Sequence, residues 1–257
     1  MKSYIFTVDD NIRFLAECAR GEYSSIFSHP YMQMYKRLHG RYGVKVQLNL
    51  FYECEGFDLS YMPESFKAEL LEASDWLKMS FHSKLENVKP YEQSDYSEVY
   101  GDAARVHSEI KRFAGEPSLA KTTTVHYCRT TEEGRRALYD LGVRGLLGLF
   151  GTEENPRSSY SLPEALAERA RRGEIVECDG TKYASIDLIL NNLDIEKIPT
   201  ALESLKAREC VRIMIHEQYF YPDYPRYQPN FEEKLELAFG LLSEWGYKSS
   251  FFEELIW

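Results

Sequence analysis

Polar and apolar positions along the chain fall into two alternating rhythms. Short apolar or β-branched runs read as strands: SYIFTV (3–8), VKVQLNLFY (44–52), WLKMSFH (76–82), LAKTTTVHY (119–127), VRGLLGLF (143–150), IVECDG (175–180), KYASIDLIL (182–190) and CVRIMIH (210–216). Between them lie segments with helical spacing: YMQMYKRLHGRYG (31–43), ESFKAELLEAS (64–74), YSEVYGDAARVHSEIKRF (96–113), EEGRRALYDL (132–141), ALAERARRG (165–173), IPTALESLKA (198–207) and NFEEKLELAFGLLSEWG (230–246). In the third of these, Val99, Ala103, Val106, Ile110 and Phe113 share one face. About seven strand-then-helix units in succession predict parallel strands joined by right-handed crossovers. Two α/β architectures satisfy that pattern, a barrel and an open doubly wound sheet. No repeat, low-complexity tract or Gly/Ser linker interrupts it, so residues 1–257 are expected to form a single domain.

The polar residues bear on that choice. Asp9 and Asp10 end the first run, His82 the third, His126 the fourth and His216 the last. In parallel α/β folds the carboxyl ends of the strands form the functional face, and in a barrel they converge on one cleft. Adjacent carboxylates at the end of a buried run are costly unless water or a cation covers them. His82 and Glu86 are four apart and would project to one side if the chain turns helical there. One imidazole with two carboxylates suits zinc, with manganese, cobalt or nickel as alternatives, and His126 is the substitute ligand if Glu86 falls short. The bland alternatives are a solvated strand end, a strand-capping histidine and a buried structural His216. His107 belongs to the apolar helix stripe, and nothing converges on His29 or His39.

Composition narrows the partners. A formal charge of −10 argues against a nucleic-acid backbone or an anionic membrane as the main partner. No apolar run is long enough to span a bilayer. The acidic start MKSYIFTVDD is unlike an export signal, and five cysteines lack paired spacing. Reduced thiols in the cytoplasm are therefore expected. Aromatic residues make up 14%, with 19 Tyr. Four of them, Tyr219, Tyr221, Tyr224 and Tyr227, punctuate EQYFYPDYPRYQP just beyond His216. That loop either lines a sugar cleft or packs on a rim or interface.

The order of these motifs resembles the polysaccharide deacetylase family. Thr7-Val8-Asp9-Asp10-Asn11 is similar to its first motif, Thr-Phe-Asp-Asp-Gly. Phe81-His82-Ser83-Lys84-Leu85-Glu86 stands where the family has His-Ser/Thr-x-x-His, and Ile213-Met214-Ile215-His216 resembles its final Leu-x-His. GVKVQLNLF and RRALYDLGV are similar to its second strand and to the helix before its fifth. The chain departs from the family at Asn11 for glycine, at Glu86 for the second histidine, and at the missing arginine-proline-tyrosine motif, where Thr124 to Arg129 stand. The resemblance implies a distorted (β/α)7 barrel and hydrolysis of an acyl group, acetyl above all, from an N-acylated sugar, oligosaccharide or small amide. It also implies roles: Asp10 as metal ligand, Asp9 as general base, His216 as general acid and Arg129 as the group orienting Asp9. Tyr127, Tyr219 and Tyr221 are the candidates for substrate contact. Two rivals remain: a barrel that has lost deacetylation and serves as a binding or regulatory protein, and another metal-dependent carbohydrate enzyme on the same scaffold.

Overall fold

A computed structural model describes residues 2–86, 91–150 and 160–257. The first half runs β1 (Ser3–Asn11), α1 (Arg13–Ala19), α2 (Pro30–Tyr42), β2 (Val46–Phe51), a small hairpin of β3 (Glu53–Cys54) and β4 (Phe57–Asp58), α3 (Lys67–Glu72), β5 (Leu77–Ser83) and α4 (Tyr96–Phe113). The second half runs β6 (Thr122–Thr123), α5 (Glu132–Asp140), β7 (Gly145–Gly148), α6 (Glu164–Arg171), β8 (Val176–Cys178), β9 (Thr181–Ser185) and β10 (Leu188–Ile189). It ends with α7 (Ile198–Glu203), β11 (Cys210–His216), α8 (Phe231–Glu244) and β12 (Lys248–Ser249).

Apart from the β3–β4 hairpin, the described strands form two sheets that continue into each other. One has the order β10-β11-β1-β2-β5 with β12 on β1, the other β6-β7-β9-β8. A parallel bridge from Met79 to Leu119 joins them on one side. On the other, the chain itself passes from β9 into β10, with the Asp187 N–H donating to the Arg212 carbonyl at 2.9 Å. The circuit is a distorted α/β barrel.

Side chains alternate across this wall. Tyr4, Phe6 and Val8, like Val46, Leu48, Leu50, Leu77, Met79, Phe81, Val211, Ile213 and Ile215, belong to the large apolar cluster shared with the helices. The alternate set, Ile5, Thr7, Asp9, Gln47, Asn49, Ser80, His82, Met214 and His216, stands opposite in register. Ile5, Leu147, Ala184, Ile186 and Met214 form a second, small cluster with Phe252 from the C-terminal turn. Beside it Glu253 accepts from Lys78 Nζ and from the Lys121 N–H, both at 2.5 Å. The amino-terminal end of the barrel is thus plugged, which leaves the carboxyl end open.

Three expectations needed correction. Parallel pairing fails at β8, which runs antiparallel to β9 because Asp179 and Gly180 (φ 51° and 77°) make a two-residue turn between them. The run at 119–127 keeps only Thr122–Thr123 as strand, since the chain turns at His126–Cys128, where Tyr127 and Cys128 take φ of 59° and 56°. The run at 182–190 is two strands in different sheets rather than one.

Candidate active site

Val8 leads to two consecutive aspartates that, on an extended strand, would point to opposite sides. The backbone prevents this. Pairing between β1 and β2 slips between Val8 and Asn11, and Asp10 takes a left-handed φ of 63°. Asn11 braces the bend: its amide donates to the carbonyls of Val8 (2.6 Å) and Asn49 (3.2 Å), and its oxygen accepts from Tyr31 (2.9 Å). Both carboxylates therefore line the same cleft. The turn is held from below by Glu217, fully buried at the end of β11. Its carboxylate accepts from the backbone N–H groups of Ile12 (2.6 Å), Arg13 (3.0 Å) and Phe14 (2.8 Å), capping α1 from the turn that follows β11.

Two imidazoles meet Asp10. His82 Nε2 lies 3.1 Å and His126 Nδ1 3.3 Å from Asp10 Oδ1, and the two nitrogens are 3.0 Å apart. Each ring's other nitrogen is committed to a backbone carbonyl, His82 Nδ1 to Thr124 (2.5 Å) and His126 Nε2 to Glu86 (3.0 Å). A carbonyl only accepts, so those nitrogens carry the hydrogens, and in the neutral rings lone pairs face inward at His82 Nε2 and His126 Nδ1. Three acceptors then converge on one point, an arrangement that repels unless a proton or a cation sits among them. The donor set fits a divalent cation: one carboxylate and two oriented imidazoles, with room for further ligands on the cleft side. Burial alone would raise the Asp10 carboxyl, but hydrogen bonds from His126 and His82 outweigh it and hold it well below the usual range. Burial likewise opposes the charge on His82, yet Asp9 and Asp10 raise the imidazole above its ordinary value. Gln218 Nε2 donates to the second Asp10 oxygen at 2.6 Å.

Asp9 sits beside this group without joining it. Asn49 Nδ2 donates to Asp9 Oδ1 at 2.6 Å, and Asn49 is oriented because its own oxygen accepts from Gln47 (2.9 Å) and Ser80 (2.5 Å). Burial pushes the Asp9 carboxyl up, and the charges of His82 and His216 offset that only in part. In the parallel register of β1 and β11 His216 stands opposite Asp9. Its Nδ1 donates to Asn191 Oδ1 at 2.9 Å, so Nε2 is the nitrogen left for the cleft.

The cleft holds about 640 Å³ and is walled by Tyr127, Arg129, Asn191, Tyr219, Tyr224 and Arg226 around the residues above. Tyr127 is 50% exposed, its ring 3.9 Å from that of His126. Tyr219 leans on His216 at 6.1 Å and on Tyr224 at 5.2 Å.

Three residues depart from expectation. Tyr221 is 6% exposed and faces the core, its hydroxyl on Glu217 at 3.0 Å and its ring under Arg13, because the loop folds back over the α1 turn. Arg129 pairs with Glu92 at 2.7 Å, and Asn49 takes the place on Asp9 expected of it. Glu86 is not in a helical turn with His82; its carbonyl orients His126 and its carboxylate is outside the three-residue group. Asn49 and Asn191 are site residues that the strand-end pattern missed, whereas Gln218 and Tyr224 come from the tyrosine-rich loop singled out beyond His216. Asn49 alone left a signal, a polar residue alternating with Leu48 and Leu50 inside an apolar run.

No protein-family model and no curated protein matches the sequence. Solved structures match over nearly all of it. A family 4 acetyl xylan esterase from Clostridium thermocellum, solved with a cobalt ion, is 13% identical with a TM-score of 0.56 over 99% of this chain and 90% of that one. A peptidoglycan N-acetylglucosamine deacetylase is 10% identical with a TM-score of 0.58 over 98% and 86%. The fold is that of the polysaccharide deacetylases. A 4-α-glucanotransferase from Thermococcus litoralis, 12% identical, also aligns with a TM-score of 0.59 over 98% of this chain and 40% of that one. Unlike chemistries share this scaffold, so the donor set rather than the fold must choose among them.

Proposed function

We propose that the chain is a metal-dependent hydrolase that removes an acyl group from an N-acylated sugar or related small amide. The observation that carries this reading is the convergence of His82 Nε2, His126 Nδ1 and Asp10 Oδ1, with both histidines pinned by backbone carbonyls. A divalent cation held there would supply Lewis-acid polarisation of the acyl oxygen and make water easier to deprotonate. Gln218 and the two carbonyls keep the three ligands in place.

The remaining steps fall to this chain's own groups. Asp9, with its raised affinity for protons, takes one from the attacking water as the water oxygen bonds to the acyl carbon. The C–N bond then breaks, and His216 Nε2 delivers a proton to the departing nitrogen while Asn191 holds Nδ1. The products are a carboxylic acid and a free amine. Tyr127, Tyr219 and Tyr224 offer ring faces to the C–H surfaces of a sugar.

The test is metal content by mass spectrometry after reconstitution with zinc, cobalt or manganese, followed by amine release from N-acetylated glucosamine and its oligomers. One bound ion per chain with turnover supports the reading. A chain that takes up no ion and turns over nothing is the binding-protein alternative. Release of reducing ends without acyl release would make it another carbohydrate enzyme.

A further inference from the structure

The cleft does not end at Asp10. A second arm of about 250 Å³ opens on the far side, sharing Asp10, Glu86, Gln218 and Tyr224 with the first. Ile12, Phe51, Cys54 and Pro225 line it beside the Glu55 carboxylate, and so does the Arg13–Asp223 pair, whose Nη2 meets both carboxylate oxygens at 2.8 and 2.7 Å. A third hollow of about 210 Å³ continues past Arg13 and Cys54. The two main arms are chemically unlike. Asp9, His216 and the cleft asparagines line only the first.

That asymmetry orients a substrate, given the hydrolase reading on which this inference rests. The departing nitrogen must lie within reach of His216, so the sugar occupies the first arm. The acyl carbon sits over Asp10, and whatever extends from it crosses into the second arm. At about 30 Å³ per water-sized unit that arm holds roughly eight units, whereas an acetyl methyl fills about one. We propose that the acyl group this protein removes is longer than acetyl, a chain of about three or four carbons lying along Phe51 and Cys54 with any polar tip directed at Arg13.

The experiment compares kcat/KM of the metal-loaded protein for N-acetyl-, N-propionyl- and N-butyryl-glucosamine, in the unaltered chain and in Cys54→Trp. Cys54 is half-buried in the β3–β4 hairpin and lines this arm but not the one that holds Asp9 and His216, so the larger ring fills the arm on the side away from the proton-transfer groups. Each added methylene is expected to raise kcat/KM about fourfold in the unaltered chain. In Cys54→Trp that gain disappears, and all three substrates fall to a common kcat/KM, with a melting temperature reporting that the chain still folds. Hydrolysis of the acetyl substrate with slower turnover of the longer ones overturns this inference and leaves the hydrolase reading standing. A preference for longer chains that survives in Cys54→Trp overturns the assignment to this arm. No turnover of any member overturns the hydrolase reading and this inference with it.

Discussion

Replacing the two adjacent aspartates one at a time separates proton transfer from ligation. In Asp9→Asn the new amide has the shape of the carboxyl, and its oxygen can still accept from Asn49 Nδ2, which lies 2.6 Å from Asp9 Oδ1 in the unaltered chain. The barrel should therefore fold unchanged. What goes is the proton acceptor, an effect of about 10²–10⁴ in kcat, or roughly 3–5 kcal/mol on the barrier. Asp9 lies outside the three converging donors, so metal affinity should fall by less than about tenfold. Asp10→Asn does the reverse. Its amide nitrogen can donate toward the inward lone pairs of His82 and His126 while its oxygen accepts from Gln218, giving a cluster satisfied without any cation. Loss of groups that merely orient ligands costs roughly 10–100-fold in affinity, and loss of a ligand charge should exceed about 100-fold. Calorimetric titration with zinc or cobalt, beside an amine-release assay on both variants, reads the two quantities. Equal loss of metal in both variants would mean the pair ligates jointly and the base lies elsewhere. Full activity in Asp9→Asn would refute the proton-transfer assignment outright.

Three further outcomes are expected. Glu217→Ala strands two buried N–H groups and a part-buried one at the start of α1 and should lower stability by about 3 kcal/mol in urea titrations, loosening the Asp10 turn and with it metal affinity. His107 is buried, its Nε2 has no hydrogen-bond partner among the described residues, and burial lowers its pKa from 6.5 to about 4. Unfolding therefore takes up a proton below pH 6.5, and the folded state should lose about 3 kcal/mol as pH falls from 6.5 to 4. His107→Leu should flatten that limb of an acid-unfolding curve, and an unaltered limb would place the sensitivity elsewhere. Tyr221→Phe should cost about 1 kcal/mol of stability and leave KM alone, whereas Tyr224→Ala should raise KM severalfold with stability nearly unchanged.

The strand and helix pattern was legible because burial on this fold is periodic. α4 occupies Tyr96–Phe113, and the stripe from Val99 to Phe113 is buried as its spacing implies. The Asp179-Gly180 pair, a strong hairpin signal, stood in plain view between two apolar runs yet was overruled by the parallel pattern around it. Helix α1 left no such trace. It has seven residues and no side-chain cap of its own, and Glu217, some two hundred positions away, completes its first turn. Tyr221 and Tyr224 are three apart in one loop, and only the fold of that loop sends one to the core and the other to the cleft.

The polar positions inside the strands carry a wider lesson about the site. Gln47, Asn49, Ser80 and Thr122 face inward and bond to one another, so the upper barrel interior is a hydrogen-bonded lattice rather than an oily core. Such a lattice is costly to bury unless each member is satisfied, and it fixes orientation where apolar packing would not. Here it ends on Asn49 and so decides which atom faces Asp9. The other determinant is a single torsion at Asp10. With an ordinary extended φ, that carboxylate would point into the helix layer, and His82 and His126 would converge on nothing. A left-handed aspartate braced by Asn11 and by the Glu217 carboxylate just past β11 is strain held by its surroundings, and it brings both acids to one cleft, as the proposed division into ligand and base requires.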